Sequence, residues 1–329
     1  MIVVRAPFRI SIGGGGTDLP AYFSKYGGYL ITGAINKYMY ITINVAASVE
    51  KIKLNYSKVE IVNDVNEIKH DIVRETFKHL NFNEKIEISS MADASAGTGL
   101  GSSSAYAVGL LNGMNALLHR HVSKLDLAEE ACHIEIDRVG KPIGKQDQYA
   151  SALGGIFSMR ISKEGKVDVK QLCIDKDILR ELEYRLLMFY TDIQRDANEI
   201  LCEQSIRARN DEEAIIESMH KIKDIGLKIE LSLQKGDIDS YGTLMHEHWL
   251  AKKKISDKMS SSLIDSWYQL ALKNGALGGK IMGAGGGGFF LFCVKNGQRR
   301  NLINAMENVG LHYMDMTFDF EGSKVLLNI

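Results

Sequence analysis

The segment Gly97-Thr98-Gly99-Leu100-Gly101-Ser102-Ser103-Ser104-Ala105 sets three alternating glycines ahead of three hydroxyls, and helical spacing follows from Ser103 to His119. Glycine adopts positive φ without steric cost and lets the backbone approach a ligand closely. A helix that starts directly after such a loop presents unpaired N–H groups and a positive dipole end. Those groups suit a polyphosphate. No lysine follows the last glycine, so the loop is not a Walker A motif.

Two acids downstream could work with it. Glu135 falls on the small, apolar stripe of a predicted helix, Asp126–Val139, with Ala128, Ala131, Cys132 and Val139. An unpaired carboxylate there is expensive. A hydrated Mg²⁺ bound to phosphates would satisfy it, and so would a structural ion pair. Asp147 lies in the polar stretch Gly144-Lys-Gln-Asp-Gln-Tyr149, after the predicted loop that contains Pro142. A carboxylate there could accept or orient a substrate hydroxyl, although the same residue also reads as a solvated loop acid.

These residues need elements to hold them. Ile2–Ile12 reads as a strand that breaks at Gly13–Gly16, and Tyr38–Val45 alternates as a second strand. Val65–Leu80 reads as a helix and Ile86–Ser90 as a short strand leading to the glycine loop. Strands follow at 154–161, 167–173 and 185–191. Residues 196–235 are helical, with Ile215, Met219, Ile222, Ile225, Ile229 and Leu233 spaced 4, 3, 3, 4 and 4 as a core-facing stripe. Helices are also expected at 257–274 and 301–309, and a last strand at 324–327. Lys280–Met282, the glycine run Gly283–Gly288 and Phe289–Val294 read as strand, turn and strand. That run formally matches G-x-G-x-x-G, but it opens a strand instead of a helix, which argues against dinucleotide binding. Three glycine-rich loops beside element ends point to several backbones converging on one pair of ligands. The mixture of antiparallel strands and helices predicts an α+β fold of two domains, 1–180 and 181–329.

Composition narrows the class. The chain has 329 residues, with 40 basic and 41 acidic side chains and a net charge of −1, which argues against nucleic acid as partner. No apolar run approaches the ~20 residues of a membrane span. The N-terminus lacks the apolar core of a signal peptide. Cys132, Cys173, Cys202 and Cys293 are dispersed, as expected of reduced thiols in a cytoplasmic protein.

The three loops, in order, resemble the three motifs of the GHMP kinases, the galactokinase, homoserine kinase, mevalonate kinase and phosphomevalonate kinase superfamily. Arg5-Ala-Pro-Phe-Arg-Ile-Ser-Ile-Gly-Gly-Gly-Gly-Thr-Asp18 resembles the first, Gly97–Ala105 the second, and Lys280-Ile-Met-Gly-Ala-Gly-Gly-Gly-Gly-Phe289 the third. The resemblance implies an N-terminal domain like the second domain of ribosomal protein S5, a ferredoxin-like C-terminal domain, and an active site between them. It implies ATP on Gly97, Gly99, Leu100, Gly101, Ser102, Ser103 and Ser104, closed over by Gly285 and Gly286. It further implies Mg²⁺ on Ser103 and Glu135, Asp147 as the active-site aspartate, Arg9 near the reacting hydroxyl, and Asp18 on sugar hydroxyls.

One departure matters: galactokinases carry Glu-His where this chain has Gly15-Gly16. The loss of both side chains enlarges the sugar end of the site, where Gly15, Gly16 and Thr17 are expected to meet the substrate. The variant Ser11–Pro20, with Gly144–Tyr149, is similar to the branch containing D-glycero-D-manno-heptose 7-phosphate kinases, and related fucokinase domains share much of it. A sugar phosphate needs cations, for which Lys37, Lys145 and Arg195 are candidates, although each also reads as a plain surface charge. The expected partners are a small sugar phosphate and ATP, with neither nucleic acid nor membrane; a homodimer is compatible with the sequence. A non-catalytic sugar sensor on the same fold is the rival from outside enzymes.

Overall fold

The computed structural model describes residues 1–45, 50–193, 203, 206, 207 and 212–329. Its spine is a long antiparallel pair, β1 (Ile2–Gly13) and β2 (Gly28–Asn44). Ile2, Val4, Ala6, Phe8, Ile10 and Ile12 share one face at the two-residue period of a strand, and all are buried. Around this pair run β3 (Ile52–Asn55), β4 (Val59–Val62), β5 (Glu87–Ala92), β6 (Ile156–Ile161) and β7 (Val167–Gln171). The strand order is β12-β1-β2-β5-β3-β4, where β12 is Lys324–Asn328, with β6 and β7 extending from β2.

Helix α3 (Ser102–Leu117) lies on β1 and β2. Gly109 and Gly113 permit the close approach: a methyl at Gly113 would stand 2.7 Å from Ile43 Cδ1. Helix α7 (Glu213–Lys235) carries the predicted Ile215–Leu233 stripe, every member of it buried. It crosses the far ends of β1 and β2, with Gly226 against Gly14 and Tyr29. Covered from both sides there, β1 is buried on both faces from Ala6 onward.

A second sheet has the order β11 (His312–Met314), β8 (Leu186–Tyr190), β10 (Phe289–Val294), β9 (Ala276–Ile281). Helices α8 (Ile238–Lys253), α9 (Ser262–Lys273) and α10 (Arg299–Glu307) accompany it, and Trp249, Tyr268, Phe290, Phe292 and Leu302 share its core. The mixed α+β class matches the expectation. The last strand, β12 (Lys324–Asn328), pairs with β1, so residues 181–329 return one strand to the first sheet.

Several elements differ from the sequence reading. Short helices α1 (Pro20–Tyr26) and α6 (Lys176–Arg185), and the longer α8, were not expected. The buried face of α8 mixes Tyr241, Gly242, Met245, His248 and Trp249, which blurs a purely apolar period. The helix expected at 126–139 is α4 (Lys124–Cys132) followed by a π-helical turn, His133–Arg138. Asp147 is on a helix, not a loop: α5 spans Gln146–Leu153.

Candidate active site

Gly97, Gly99 and Gly101 all take left-handed backbone conformations, with φ of 77°, 83° and 78°. Gly101 precedes the first turn of α3, and no side chain caps that helix. Its leading N–H groups are therefore left for a ligand. The Leu100 carbonyl accepts the Arg9 N–H at 3.0 Å, which ties the loop to β1. Leu100 itself is buried in the core, as is Ser104, whereas Ser102 and Ser103 face a groove.

The 283–288 loop closes on this one at two points. A methyl at Gly283 would stand 2.7 Å from Gly99 Cα, and one at Gly288 would stand 2.2 Å from the Thr98 carbonyl oxygen. Gly285 and Gly286, expected to close over the phosphate, instead lie against Met259, whose carbonyl accepts the Gly286 N–H at 2.7 Å. Consecutive glycines all look alike in sequence; only packing distinguishes those that meet the loop.

Ser103 and Glu135 do come together, with Ser103 Oγ donating to Glu135 Oε1 at 2.6 Å. The π-helical turn is responsible, since the extra residue buries Ile134 and Glu135 side by side. Gln148 Nε2 donates to the other carboxylate oxygen at 2.7 Å. Lys141 completes the cluster, its Nζ 2.7 Å from Ser103 Oγ and 3.2 Å from Glu135 Oε1. The ion-pair alternative for Glu135 is therefore realised within these coordinates. The donor set also fits Mg²⁺, a hard cation that takes one or two protein oxygens and leaves the rest of its shell to phosphate and water.

This cluster borders a groove of about 510 Å³. Its far wall is apolar and aromatic: Met39, Tyr56, Ile72, Met91 and Tyr106, with His70 stacked on Tyr106 at 4.7 Å. A flat base could lie there while its phosphates reach the glycine loop.

On the other side of the loop is a smaller cavity of about 90 Å³. Asp147 and Arg9 meet at its edge in a two-pronged ion pair, Nε to Oδ1 at 2.7 Å and Nη2 to Oδ2 at 2.6 Å. Arg9 Nη1 also donates to the Gly99 carbonyl at 2.6 Å, so one guanidinium fixes both the acid and the phosphate loop. Gly101, which precedes the groove residue Ser102, packs against this pair: a methyl there would be 3.1 Å from Asp147 Oδ2.

Asp18 lines the cavity and accepts N–H bonds from Gly16 and Gln146 at 3.2 and 3.1 Å. Burial raises its pKa, opposed by the Gln146 N–H. Gly15 and Gly16 also line the space. Thr17 does not: it is fully buried, with its hydroxyl 2.8 and 2.7 Å from the carbonyls of Gly14 and Tyr29. Its role is to brace the glycine turn.

The expected phosphate cations are placed elsewhere. Lys145 Nζ is bound to Glu129 at 2.9 Å and to the Gly165 carbonyl at 3.1 Å, and it does not line the cavity. Neither does Lys37, on β2. Arg195 is outside the described residues. The cations that do line it are Arg9, Lys252 and Lys280. Lys252 Nζ donates to the Gly283 carbonyl at 2.5 Å. Lys280 is 1% exposed and donates to the Ile12 carbonyl at 3.3 Å. Burial, then the neighbouring Lys252 and Arg9, hold its pKa well below the lysine range. His248 is likewise kept neutral by burial. Four polar atoms here are buried without a partner: Ser11 Oγ, Gln146 Nε2 and both ring nitrogens of His248. Ser11 and Lys280 lie inside the glycine-rich motifs and Gln146 inside the polar stretch Gly144–Tyr149, where they could have been picked out. His248 and Lys252 belong to a helix with no sequence signal.

Known proteins share this fold. The family model "GHMP kinases N terminal domain" matches residues 46–155, and "GHMP kinases C terminal" matches residues 229–311. The chain belongs to the GHMP kinases, a family of phosphotransferases. It is 31% identical to the D-glycero-alpha-D-manno-heptose 7-phosphate kinase of Campylobacter jejuni, an alignment covering 98% of each chain. A crystal structure of a D-glycero-D-manno-heptose 1-phosphate kinase from Bacteroides thetaiotaomicron superposes with a TM-score of 0.83 at 26% identity, over 100% of both chains. An L-fucokinase/L-fucose-1-P guanylyltransferase of Bacteroides fragilis is 23% identical over 98% of this chain and 38% of its own length. No described helix is long and apolar enough to cross a membrane.

Proposed function

We propose that this kinase transfers the γ-phosphoryl group of ATP to the anomeric hydroxyl of D-glycero-D-manno-heptose 7-phosphate, giving the 1,7-bisphosphate. The observation that carries this reading is the small cavity itself. It joins a carboxylate beside the phosphate loop to unpartnered hydrogen-bonding groups and to a buried lysine with no described carboxylate partner. Polar atoms left unpaired in a buried site are costly and favour a polar ligand that pairs them. A polyol suits Asp18, Ser11, Gln146 and His248. A phosphate dianion suits Lys280 and Lys252.

The reaction then follows from position. The nucleotide's phosphates lie against the N–H groups of the Gly97–Ser104 segment. Ser103 and Glu135 would hold Mg²⁺, which when bound neutralises phosphate charge. Phosphoryl transfer is mostly alignment and charge stabilisation. Asp147 orients the anomeric hydroxyl and takes its proton as the oxygen bonds to phosphorus. Arg9 keeps the Asp147 carboxylate aimed and stabilises the charge on the transferring group. On this reading the chain divides near residue 180, with the site between its two parts, and works in the cytoplasm. The product would lead to nucleotide-activated heptose for surface polysaccharide.

The test is ADP release with Mg-ATP across heptose 7-phosphate, sedoheptulose 7-phosphate, mannose 6-phosphate, fucose, galactose and mevalonate. Turnover confined to heptose 7-phosphate, with an anomeric phosphate in the product, is the expected result. Turnover of fucose alone would transfer the reading to a fucokinase. Binding of ATP with no turnover of any sugar would favour a sensor.

A further inference from the structure

Lys141 has no part in the reaction as derived above, yet its ammonium occupies a telling position. It stands 2.7 Å from Ser103 Oγ and 3.2 Å from Glu135 Oε1, and those two oxygens are 2.6 Å apart. Ligands on adjacent vertices of an octahedral Mg²⁺ are separated by about 3 Å, given metal–oxygen bonds of about 2.0–2.1 Å. The lysine therefore bridges the same pair of oxygens that the metal would bridge. Two cations cannot share that edge.

The root of the side chain is fixed, because the Lys141 N–H donates to the Glu135 carbonyl at 3.0 Å. Its tip is not enclosed: Lys141 borders the groove together with Gly97, Ser102 and Ser103. A displaced ammonium thus remains next to the place where nucleotide phosphates would lie. Glu135 keeps two other donors, Ser103 and Gln148, so it stays partnered when the lysine leaves.

We propose that Lys141 is a displaceable internal cation that competes with the divalent metal for Ser103 and Glu135 and thereby sets how strongly metal and nucleotide binding are coupled. The inference rests on the kinase reading of the groove. Without metal, the lysine supplies the positive charge that the phosphates meet. With metal, it gives up the two oxygens. Removing it frees the site for metal but leaves metal-free nucleotide facing an uncompensated Glu135. Arginine does the opposite, since its planar fork holds a carboxylate through two parallel bonds and is harder to displace.

The experiment is calorimetric titration of ADP with and without Mg²⁺, joined to Mn²⁺ binding followed by electron paramagnetic resonance, on wild type, Lys141→Gln and Lys141→Arg. In Lys141→Gln, metal-free ADP binding should weaken about tenfold, the loss of one charge-assisted contact, while Mg-ADP binding changes far less. Mn²⁺ affinity should fall in the order Lys141→Gln, wild type, Lys141→Arg. An unchanged ratio between metal-free and metal-loaded ADP affinity would overturn the proposal, as would weaker Mn²⁺ binding in Lys141→Gln; either would leave Lys141 as a structural ion pair. If Lys141→Gln does not fold, the Arg variant decides alone, because Mn²⁺ affinity equal to wild type contradicts competition. Wild type that binds no ADP in Mg²⁺ would instead bring down the kinase reading and this inference with it.

Discussion

The two cavities flanking the Gly97–Gly101 loop are built from opposite materials. The groove is bordered by an uncapped helix start, by Ser103 and Lys141, and by Met39, Tyr56, Ile72, Met91 and Tyr106. The smaller cavity is lined by side chains from β1, α5, α8 and β9, with cations and buried unpartnered polar atoms among them. Backbone recognition is indifferent to sequence except where glycine is needed, so it suits a ligand common to many enzymes. Side-chain recognition can differ from one enzyme to the next. On the proposed reading the nucleotide end would define the family, and the cavity would define the substrate.

The sharpest way to break this contrast is Asp147→Asn, because Asp147 stands where the two cavities meet. If it takes the acceptor's proton, kcat should fall by about 10²–10⁴ with both ligands still bound. A loss below about tenfold in a steady-state assay would reduce it to a positioning group.

Gly288→Ala tests the groove side. Its φ of 83° costs an L-residue about 1–2 kcal/mol. The added methyl would also meet the Thr98 carbonyl oxygen at 2.2 Å. The Kd for Mg-ADP should rise by about tenfold or more, given about 1.4 kcal/mol per factor of ten, while phosphosugar binding is less affected. Equal losses for both ligands would mean that the two cavities are not independently built.

Lys280→Met tests the other side and should raise KM for the phosphosugar about tenfold, as expected for one lost buried donor to an anionic group, with little change for ATP. It also has a pH signature. Burial lowers the folded-state pKa of Lys280, so between that lowered value and the ordinary lysine value the unfolded chain carries the extra proton. Wild-type stability should then rise with pH across that window relative to Lys280→Met. Urea unfolding at stepped pH would show it; parallel curves for the two proteins would contradict it.

The smallest effect belongs to Lys145→Ala. Its ammonium is committed to Glu129, so KM for the phosphosugar should remain near wild type. A large increase would bring Lys145 back as a phosphate ligand and require the Glu129 pair to open.

Much of the groove could be read directly from the chain. The Gly97–Gly101 loop, the helix behind it and the need of Glu135 for a partner depend on local rules: positive φ, helix N-termini, and the cost of an acid on an apolar stripe; that Ser103 stands beside it came only with the resemblance. Even there, Lys141 went unnoticed, because an ammonium beside a proline turn looks like any surface lysine until Glu135 is seen 3.2 Å away. The cavity was read less well. Arg9, Asp18 and Asp147 were assigned to it, but Lys37 and Lys145 were too, while Lys252, Lys280 and His248 were missed. A phosphate cradle has no fixed spacing in sequence, since its cations arrive from separate elements.

The amino-acid sequence by itself determined the α+β class and a glycine loop opening a helix, both of which follow from residue types and short-range geometry; the assignment of Arg9, Glu135 and Asp147 to that loop came with the resemblance to the kinase motifs. Tertiary structure alone decided which glycines of the 283–288 run touch the loop, that Thr17 braces a turn, and which cations face the acceptor. Those outcomes depend on how β9 and α8 pack across the ends of β1 and β2. That is long-range packing, in which residues hundreds of positions apart, such as Ile12 and Lys280, become neighbours.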